Sequence, residues 1–398
     1  MSQTTFASLC RASKRFLPLA RSFLYYRPIS PTSTVTWKRA LALLASLSSA
    51  TGHLVVSLDG IVDYVAEIGT LEEPRFPLSF QLQGETEAFS LYHAILEACP
   101  RLETVDFICT TKQHLSKLLR ALDRSSSTLN TVKFANSPFA RDYRINTVYA
   151  RMALKRKQMR GIKHVCLDGV LSSSRRSDDP LTDLTLESFS LRLYSITNHQ
   201  RLQFFPRDPS NLKTFSIELA SFSFIGLSWI LDYLPDTLSE LSLSHYDLLG
   251  RSVPDLGNYT GTAHPHHSIF AKLTSLTNLS MHDVHDLSLD LLDVLVSSSP
   301  LLSTLDFAGS RWVPPQTSAS NPTRVGDTIT GVFDPDDGLA RLTKFQHLRR
   351  AHLGYLPTTN RQTYARLVAT MNERKVNVDW DLYTNYPFCS GCGSHHRV

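Results

Sequence analysis

The chain has 398 residues, of which 42% are hydrophobic and 19% charged, and its formal net charge is +5. This composition is typical of a folded globular protein. Residues 1–58 hold seven basic side chains and no acid, which leaves 34 basic and 36 acidic side chains in the rest. That distribution argues against a uniformly basic nucleic-acid binder. No stretch reaches the roughly 18 apolar residues of a membrane span, and basic residues interrupt the N-terminal apolar stretch, so neither a span nor a secretory signal is predicted.

The first predicted element is a helical N-terminal segment, residues 1–50, whose residues 6–29 read FASLCRASKRFLPLARSFLYYRPI. This run resembles the second half of an F-box, the helical module that binds the Skp adaptor of cullin ubiquitin ligases. The F-box's first helix would lie before Phe6, so the expectation is a truncated F-box. The matching residues are Leu9, Ser13, Lys14, Arg15, Phe16, Arg21, Leu24 and Tyr25. The adaptor-binding residues that the resemblance implies are Leu9, Phe16, Leu17, Leu24 and Tyr25.

Two other interpretations of the same segment remain open. It could be a helical cap that covers the exposed apolar end of a repeat array. It is also rich in Arg and Ser and free of acids, which is typical of a mitochondrial targeting segment. The aromatic pattern and the serine-lysine-arginine-phenylalanine match favour the F-box interpretation over targeting.

A short repeat follows, with the pattern apolar-x-x-apolar-x-apolar. Residues 53–60 (HLVVSLDG) predict a first strand, and nine copies of the pattern come after it. Successive copies start 27, 33, 19, 31, 26, 38, 26 and 46 residues apart, so units near 26 residues set the period. The copies are Leu102–Phe107, Leu129–Phe134, Ile162–Leu167, Leu181–Leu186, Leu212–Ile217, Leu238–Leu243, Leu276–Met281, Leu302–Phe307 and Leu348–Leu353.

Helical patterns precede several of these predicted strands. The clearest is Glu87–Ala98, which has apolar residues at helical spacing and ends just before Pro100. A helix, a proline stop and a half-buried strand form one unit, which has an apolar edge that only a neighbouring unit can bury. The other predicted helices are Leu115–Leu122, Ile225–Leu234 and Leu287–Val296.

This pattern resembles the leucine-rich-repeat family over residues 54–382, and with the N-terminal segment it resembles fungal F-box proteins with leucine-rich repeats. The resemblance implies an α/β fold, a right-handed horseshoe-shaped solenoid with irregular repeats. The predicted solenoid spans residues 51–385, with an inserted loop near 310–345, where Pro314, Pro315, Pro322 and Pro335 fall. Residues 386–398 are expected to be a flexible tail. The alternative is an ordinary α/β domain.

In such a solenoid the residues that flank the second apolar position of each motif point to the concave face, because side chains alternate along a strand. These residues are small, polar and mixed in charge, which suits protein recognition. The predicted partner-binding residues are Thr104, Asp106, Lys133, His164, Asp183, Ser216, Glu240, Asn278, Asp306 and Arg350.

Three further clusters are weighed against simpler explanations. Cys389 and Cys392 with two nearby histidines have zinc-ligand types, yet a flexible tail explains them better. Six histidines between residues 245 and 285 are better explained as exposed loop residues than as a metal site or pH sensor. Residues 141–163 hold eight basic side chains and one acid. They could contact RNA, an acidic membrane or a protein partner, but a solvated helix face is favoured.

No nucleophile elbow, phosphate loop, metalloprotease helix or dinucleotide fingerprint is present, so no catalytic residue, metal or cofactor is predicted. Six scattered cysteines favour a reducing compartment, the cytoplasm or nucleus. The predicted function is a protein-interaction module, the substrate-recognition subunit of an SCF-type ubiquitin ligase. It would bind a protein on the concave face and the Skp adaptor through the N-terminal segment, without nucleic acid or membrane, and be a monomer outside that complex. The alternative is a leucine-rich-repeat scaffold with an N-terminal cap and no ligase.

Overall fold

A computed structural model describes 13 stretches of the chain in two compact units. The first unit takes in residues up to Arg192 together with His199–Asp208, and the second takes in Leu193–Asn198 and Pro209 onward. The residues predicted to bind the adaptor in the N-terminal segment and the C-terminal Cys389 and Cys392 lie outside the described residues. The described stretches are 43–47, 51–62, 93–108, 112–135, 147–168, 182–193, 205–219, 233–245, 270–283, 287–310, 312–313, 335–356 and 361–382.

The first unit contains a parallel sheet in which each strand pairs with the next one along the chain. The pairing begins each time at equivalent residues, such as Thr104 opposite Thr131 and Thr131 opposite His164. Such stepwise parallel pairing is the arrangement of a repeat fold of the solenoid type. Its strands are β1 (Ser57–Val62), β2 (Thr104–Ile108), β3 (Thr131–Ala135), β4 (His164–Asp168) and β5 (Ser188–Leu193).

Helices and helical turns connect these strands. Residues 93–98 are helical and end two residues before Pro100, as the sequence predicts. Helix α1 (Lys112–Ala121) contains most of the predicted helix Leu115–Leu122 and continues into a 3-10 turn, Leu122–Ser125. Helix α2 (Thr147–Leu154) is followed by a second 3-10 turn, Lys157–Met159.

The core of the first unit consists of apolar side chains at equivalent positions of successive repeats. Val105 and Val132 are fully buried, and so are the next inward residues, Phe107 and Phe134. The two phenylalanine rings stack with centroids 6.0 Å apart. Side chains that a single repeat would leave exposed are therefore buried against the equivalent side chains of the next repeat.

One predicted strand is wrong. Within the motif Leu181–Leu186, the described residues 182–186 do not form a strand. Thr182 makes an isolated bridge to Pro206, its hydroxyl accepts a hydrogen bond from the Leu184 amide at 3.0 Å, and the chain bends there. The strand is β5, in which Ser188 lies opposite His164. The sequence LESFSL (186–191) fits the repeat pattern equally well, and its register buries Phe189 completely. The larger buried apolar side chain explains why this register forms.

This correction makes the repeat more regular. The motif starts at Ile162, Leu186 and Leu212 are 24 and 26 residues apart, in place of the predicted 19 and 31. Asp183 consequently lies off the sheet, where it is exposed and its carboxylate is 3.4 Å from Arg207 Nη1.

The second unit also contains a parallel sheet whose strands pair in chain order. Its strands are β6 (Thr214–Leu219), β7 (Glu240–His245), β8 (Asn278–His282), β10 (Thr304–Asp306), β12 (Arg350–Leu356) and β13 (Asn377–Leu382); two short strands, β9 (Leu287–Ser288) and β11 (Trp312–Val313), pair with each other. Helix α3 (Asp290–Ser298) precedes β10, helix α4 (Pro335–Leu342) precedes β12, and helix α5 (Arg361–Glu373) precedes β13.

Two elements of the second unit lie inside the range predicted as an inserted loop. They are β11 and α4, and residues 314–334 between them lie outside the described residues. Pro335 is the first residue of α4, a position that proline favours because its missing N–H has no helical partner there. The predicted helix Leu287–Val296 begins later, at Asp290, because Leu287 and Ser288 form β9. Most of the predicted helix Ile225–Leu234 lies outside the described residues.

None of the helices in the described stretches is long and apolar enough to cross a membrane.

Candidate functional site

The candidate site is the side of each sheet that faces away from the core, which we call the strand face. Burial alternates along the strands as the period of two requires: in β4 and β8 every second residue is buried and the others are half-buried. In each unit the first residue of a strand, such as Thr104 in β2 or Glu240 in β7, has its side chain on this face, and so has every second residue after it. Each unit has its own strand face, and we describe the two separately.

Of the ten predicted partner-binding residues, nine lie on strands at strand-face positions. In the first unit these are Thr104, Asp106, Lys133 and His164, and in the second they are Ser216, Glu240, Asn278, Asp306 and Arg350. Asp183 is the exception: in its repeat the strand-face positions are occupied by Ser188 and Ser190, which flank the buried Phe189.

An alternating network of charges crosses the strand face of the first unit. Lys133 Nζ lies 3.6 Å from Asp106 Oδ2 and 4.0 Å from Asp168 Oδ2. Arg192 Nη1 lies 3.6 Å from Asp168 Oδ1. The network thus joins four successive strands with two acids and two bases, so these side chains balance one another's charge. Ion pairs this exposed stabilise the fold weakly one by one, but a network also fixes the orientation of its members.

Cys166 lies within this network, opposite Lys133 on one neighbouring strand and Ser190 on the other. Burial raises the pKa of the Cys166 thiol, while a hydrogen bond to Ser190 and the charge of Lys133 act in the opposite direction. A thiol with a raised pKa is a poor nucleophile at neutral pH because little thiolate is present.

The strand face of the second unit has a different character. A row of small hydroxyl residues, Ser216, Ser242 and Ser280, lies in register across β6, β7 and β8. Beside this row, the Glu240 carboxylate accepts hydrogen bonds from Thr214 Oγ1 at 3.3 Å and from Asn278 Nδ2 at 3.1 Å. Glu240 thereby orients the side chains of its two neighbours, Thr214 and Asn278, beside the row of hydroxyls.

Two histidine–carboxylate pairs lie further along the second unit. His282 Nε2 is 3.3 Å from Asp306 Oδ2, and His352 Nε2 is 3.7 Å from Asp381 Oδ1. Asp381 also accepts a 2.7 Å hydrogen bond from the Gly309 amide, and His352 Nδ1 accepts one from the Gly354 amide at 3.3 Å. An Nδ1 that accepts a hydrogen bond leaves the ring proton on Nε2, facing the Asp381 carboxylate.

These groups hold the turn after β10 in place. Gly309 has a φ of +71°, a conformation that glycine adopts without strain, and its amide is bound by a carboxylate from β13. The His352–Asp381 pair therefore has a structural role in the turn. Within the described stretches, no group of three or more His, Cys, Asp or Glu side chains is arranged to hold a metal ion.

The sequence pattern missed four charged or polar strand-face residues: Asp168, Arg192, His282 and Asp381. The first three lie two residues beyond the second flanking position of their motifs, so continuing the period of two along each strand would have found them. Asp381 follows a shift in register between β12 and β13, which no spacing rule predicts.

In each unit, therefore, the fold is that of an α/β repeat protein with a parallel sheet and a polar strand face. No family model matches the sequence, and comparison with curated proteins finds no match. Among solved structures, one similar chain belongs to the crystal structure of the Rad7 and Elc1 complex in yeast. The sequence identity is 14%, the match covers 82% of this chain and 96% of that chain, and the TM-score is 0.27. A TM-score this low does not establish a common fold.

Proposed function

We propose that this protein is a protein-interaction module that serves as the substrate-recognition subunit of an SCF-type ubiquitin ligase. The observation that supports binding is the strand face itself: polar side chains lie in register on successive strands, and several of them are joined across strands by ion pairs or hydrogen bonds. Protein interfaces use such preorganised polar groups for specificity, with a few larger side chains supplying affinity. The protein would carry out no chemistry of its own.

The resemblance of residues 6–29 to the second half of an F-box supports the ligase part of this proposal. In that arrangement Phe16, Leu17 and Leu24 contact the adaptor, and the strand face takes the protein to be ubiquitylated. The protein would then act in the cytoplasm or nucleus.

The test separates the two binding activities. The full chain is co-expressed with the Skp adaptor, and the complex is measured by size-exclusion chromatography. We expect the wild-type chain to co-elute with the adaptor. Co-elution should be lost in the double variant Phe16→Ala/Leu24→Ala. It should be retained in the control variant Glu240→Lys, which changes the strand face instead. Absence of co-elution for the wild-type chain would contradict the ligase role.

Substrate recognition is tested with proteins crosslinked to the chain in cells. Their recovery should fall with Glu240→Lys and Ser242→Lys and stay unchanged with the adaptor variant. Their half-lives should lengthen with either class of variant, because a substrate receptor needs both surfaces. Half-lives that do not respond to either class would contradict the proposal.

A second candidate is a scaffold without a ligase, in which the N-terminal segment is a cap. Contacts where this segment meets the first repeat favour it: a Cβ at Gly52, two residues beyond the segment, would lie 3.1 Å from the carbonyl carbon of Ala98, so the backbone at Gly52 lies directly against the end of the 93–98 helix. Thr51 Oγ1 also donates a 2.9 Å hydrogen bond to the Ser46 carbonyl. The cap predicts that deletion of residues 1–30 lowers the stability of the first unit, whereas the F-box role predicts only the loss of the adaptor.

A further inference from the structure

The helical layer of the first unit concentrates positive charge. Residues 112–163 contain 13 basic side chains and only two acidic ones, although the whole chain has a net charge of +5. The described part of this range comprises α1, α2, their 3-10 turns, β3 and the residues leading into β4. Apart from Lys133 and Lys163, its described basic side chains belong to the helices and turns, so they are separate from the strand face.

Several of these cations have no acidic partner. The side chains of Arg120, Lys155, Lys157 and Arg160 are exposed, and among the described residues none of them forms an ion pair or a side-chain hydrogen bond. By contrast, Lys163 pairs with Glu187 at 2.7 Å. We call the four unpaired cations, together with Met152, the helix-side basic surface.

Contacts between repeats fix this surface. Arg156, which follows α2, donates a 2.8 Å hydrogen bond from Nη2 to Ser116 Oγ of α1. Gln158 donates a hydrogen bond to Asp123, one of the two acids in the range. These bonds hold α1 and the turn after α2 together, so the backbone segments that carry the cations are fixed relative to each other before a partner binds.

An exposed methionine indicates the kind of partner. Met152 is 41% exposed, one of two large hydrophobic side chains exposed to this degree among the described residues. Lys155 follows it at i+3, one residue beyond the end of α2, and its amide still donates a 3.1 Å hydrogen bond to the Arg151 carbonyl. The Met152 and Lys155 side chains therefore lie on neighbouring parts of one surface. Methionine and arginine are enriched in protein interfaces, and methionine adapts to apolar groups of varied shape.

We infer that the helix-side basic surface binds an acidic segment of a protein partner, with carboxylates against the cations and an apolar side chain against Met152. A nucleic-acid backbone offers nothing apolar for Met152. A membrane surface would require several exposed apolar side chains, whereas this surface has one described. This surface is independent of the proposed function, since it uses neither the strand face nor the N-terminal segment.

The test measures fluorescence anisotropy of labelled probes with the full chain. The main probe is a peptide of about 15 residues, roughly 22 Å long as a helix, rich in Glu and Asp with leucines at helical spacing. The comparison probes are the same peptide with serine for leucine, and duplex DNA and RNA of similar length. We expect the leucine-containing peptide to bind most tightly, with an affinity that falls as ionic strength rises.

Variants locate the site. Lys155→Glu/Arg160→Glu should weaken peptide binding by about tenfold or more, and Met152→Ser should weaken it about threefold and abolish the preference for leucine. The matched control is Arg349→Glu/Lys375→Glu, two exposed cations of the second unit with the same change in net charge. This control should bind like the wild type. Circular dichroism verifies that each variant is folded.

Four outcomes would overturn the inference. The first is that the wild-type chain does not bind the leucine-containing peptide, and the second is that it binds either nucleic acid more tightly than that peptide. The third is that the Arg349/Lys375 control loses as much peptide affinity as the Lys155/Arg160 variant. The fourth is that Met152→Ser binds both peptides with the wild-type affinities. Adaptor binding and strand-face variants are unaffected by any of these results, so failure here is distinguishable from failure of the proposed function.

Discussion

The indole Nε1 of Trp312 donates a 2.6 Å hydrogen bond to the backbone carbonyl of Leu353. Trp312 lies on β11 and Leu353 on β12, and the indole ring also packs edge-to-face against Phe307 with centroids 5.1 Å apart. Trp312 is only 2% exposed. Trp312 is thereby anchored to β12, the strand that pairs with β10 in the second unit.

Replacement of Trp312 should destabilise the second unit in two steps. Trp312→Phe keeps a large ring but leaves the Leu353 carbonyl without its donor, which costs about 1–3 kcal/mol. Trp312→Ala also removes the buried ring, at about 3–5 kcal/mol. Urea unfolding followed by circular dichroism measures both. Equal stability of Trp312→Phe and the wild type would show that the hydrogen bond contributes nothing.

Gly52 provides a second prediction, because the backbone leaves no room for a side chain. Gly52→Ala would force the Cβ against the Ala98 carbonyl, and the first repeat must shift to accommodate it. We expect a loss of about 1–3 kcal/mol, as for other overpacked sites.

Gly161→Ala is the matched control for Gly52→Ala. Its Cβ would lie 3.2 Å from the Leu129 carbonyl oxygen, a contact that a shift of a few tenths of an ångström relieves. Its effect should be smaller. A larger loss for Gly161→Ala than for Gly52→Ala would contradict this description of the packing.

The position of β5 can be tested at two residues that differ in burial, Phe189 and Leu184. In the structure Phe189 is fully buried and packs against Phe205 with ring centroids 6.2 Å apart, whereas Leu184 is only half-buried. Phe189→Ala should therefore cost about 3–5 kcal/mol, and Leu184→Ala much less. The register read from the sequence motif Leu181–Leu186 predicts the reverse order, so the pair of variants distinguishes the two.

This example shows what the sequence could and could not predict. Most of the strands follow from the repeated apolar spacing, because each apolar position must be buried against the equivalent position of the next repeat. Around Leu186 two overlapping stretches satisfy the same pattern. The burial of Phe189 and its packing against Phe205, a residue 16 positions away, favour the second stretch.

Nine of the ten residues predicted for the strand face lie on strands at such positions, but their interactions could not be predicted. Lys133 and Asp168 lie 35 residues apart in the sequence and meet because β3 and β4 pair with Ala135 opposite Asp168. Because the repeats differ in length, the sequence distance between two residues does not show whether they lie opposite each other on paired strands. The contact between His352 and Asp381 further depends on the shift in register between β12 and β13.

The last prediction concerns the pH dependence of stability at Cys99. This thiol is fully buried, and burial raises its pKa from 9.0 to about 12. Between these values the unfolded chain releases the proton while the folded chain keeps it, so the contribution of Cys99 to stability is present below pH 9 and is lost as the pH rises. The loss approaches about 1.4 kcal/mol per pH unit in that window.

Cys99→Ala removes this dependence, so the comparison of variants isolates it from other groups that titrate. Below pH 9 the wild type should be more stable than Cys99→Ala, because the smaller side chain leaves a cavity. Above pH 9 the advantage should shrink steadily, as measured by urea unfolding at closely spaced pH values. Cys166→Ala should show a weaker trend, because that thiol is only half-buried and Ser190 and Lys133 oppose the rise in its pKa. An advantage of the wild type over Cys99→Ala that stays constant up to pH 10.5 would mean that the Cys99 thiol ionises in the folded protein as readily as in the unfolded chain.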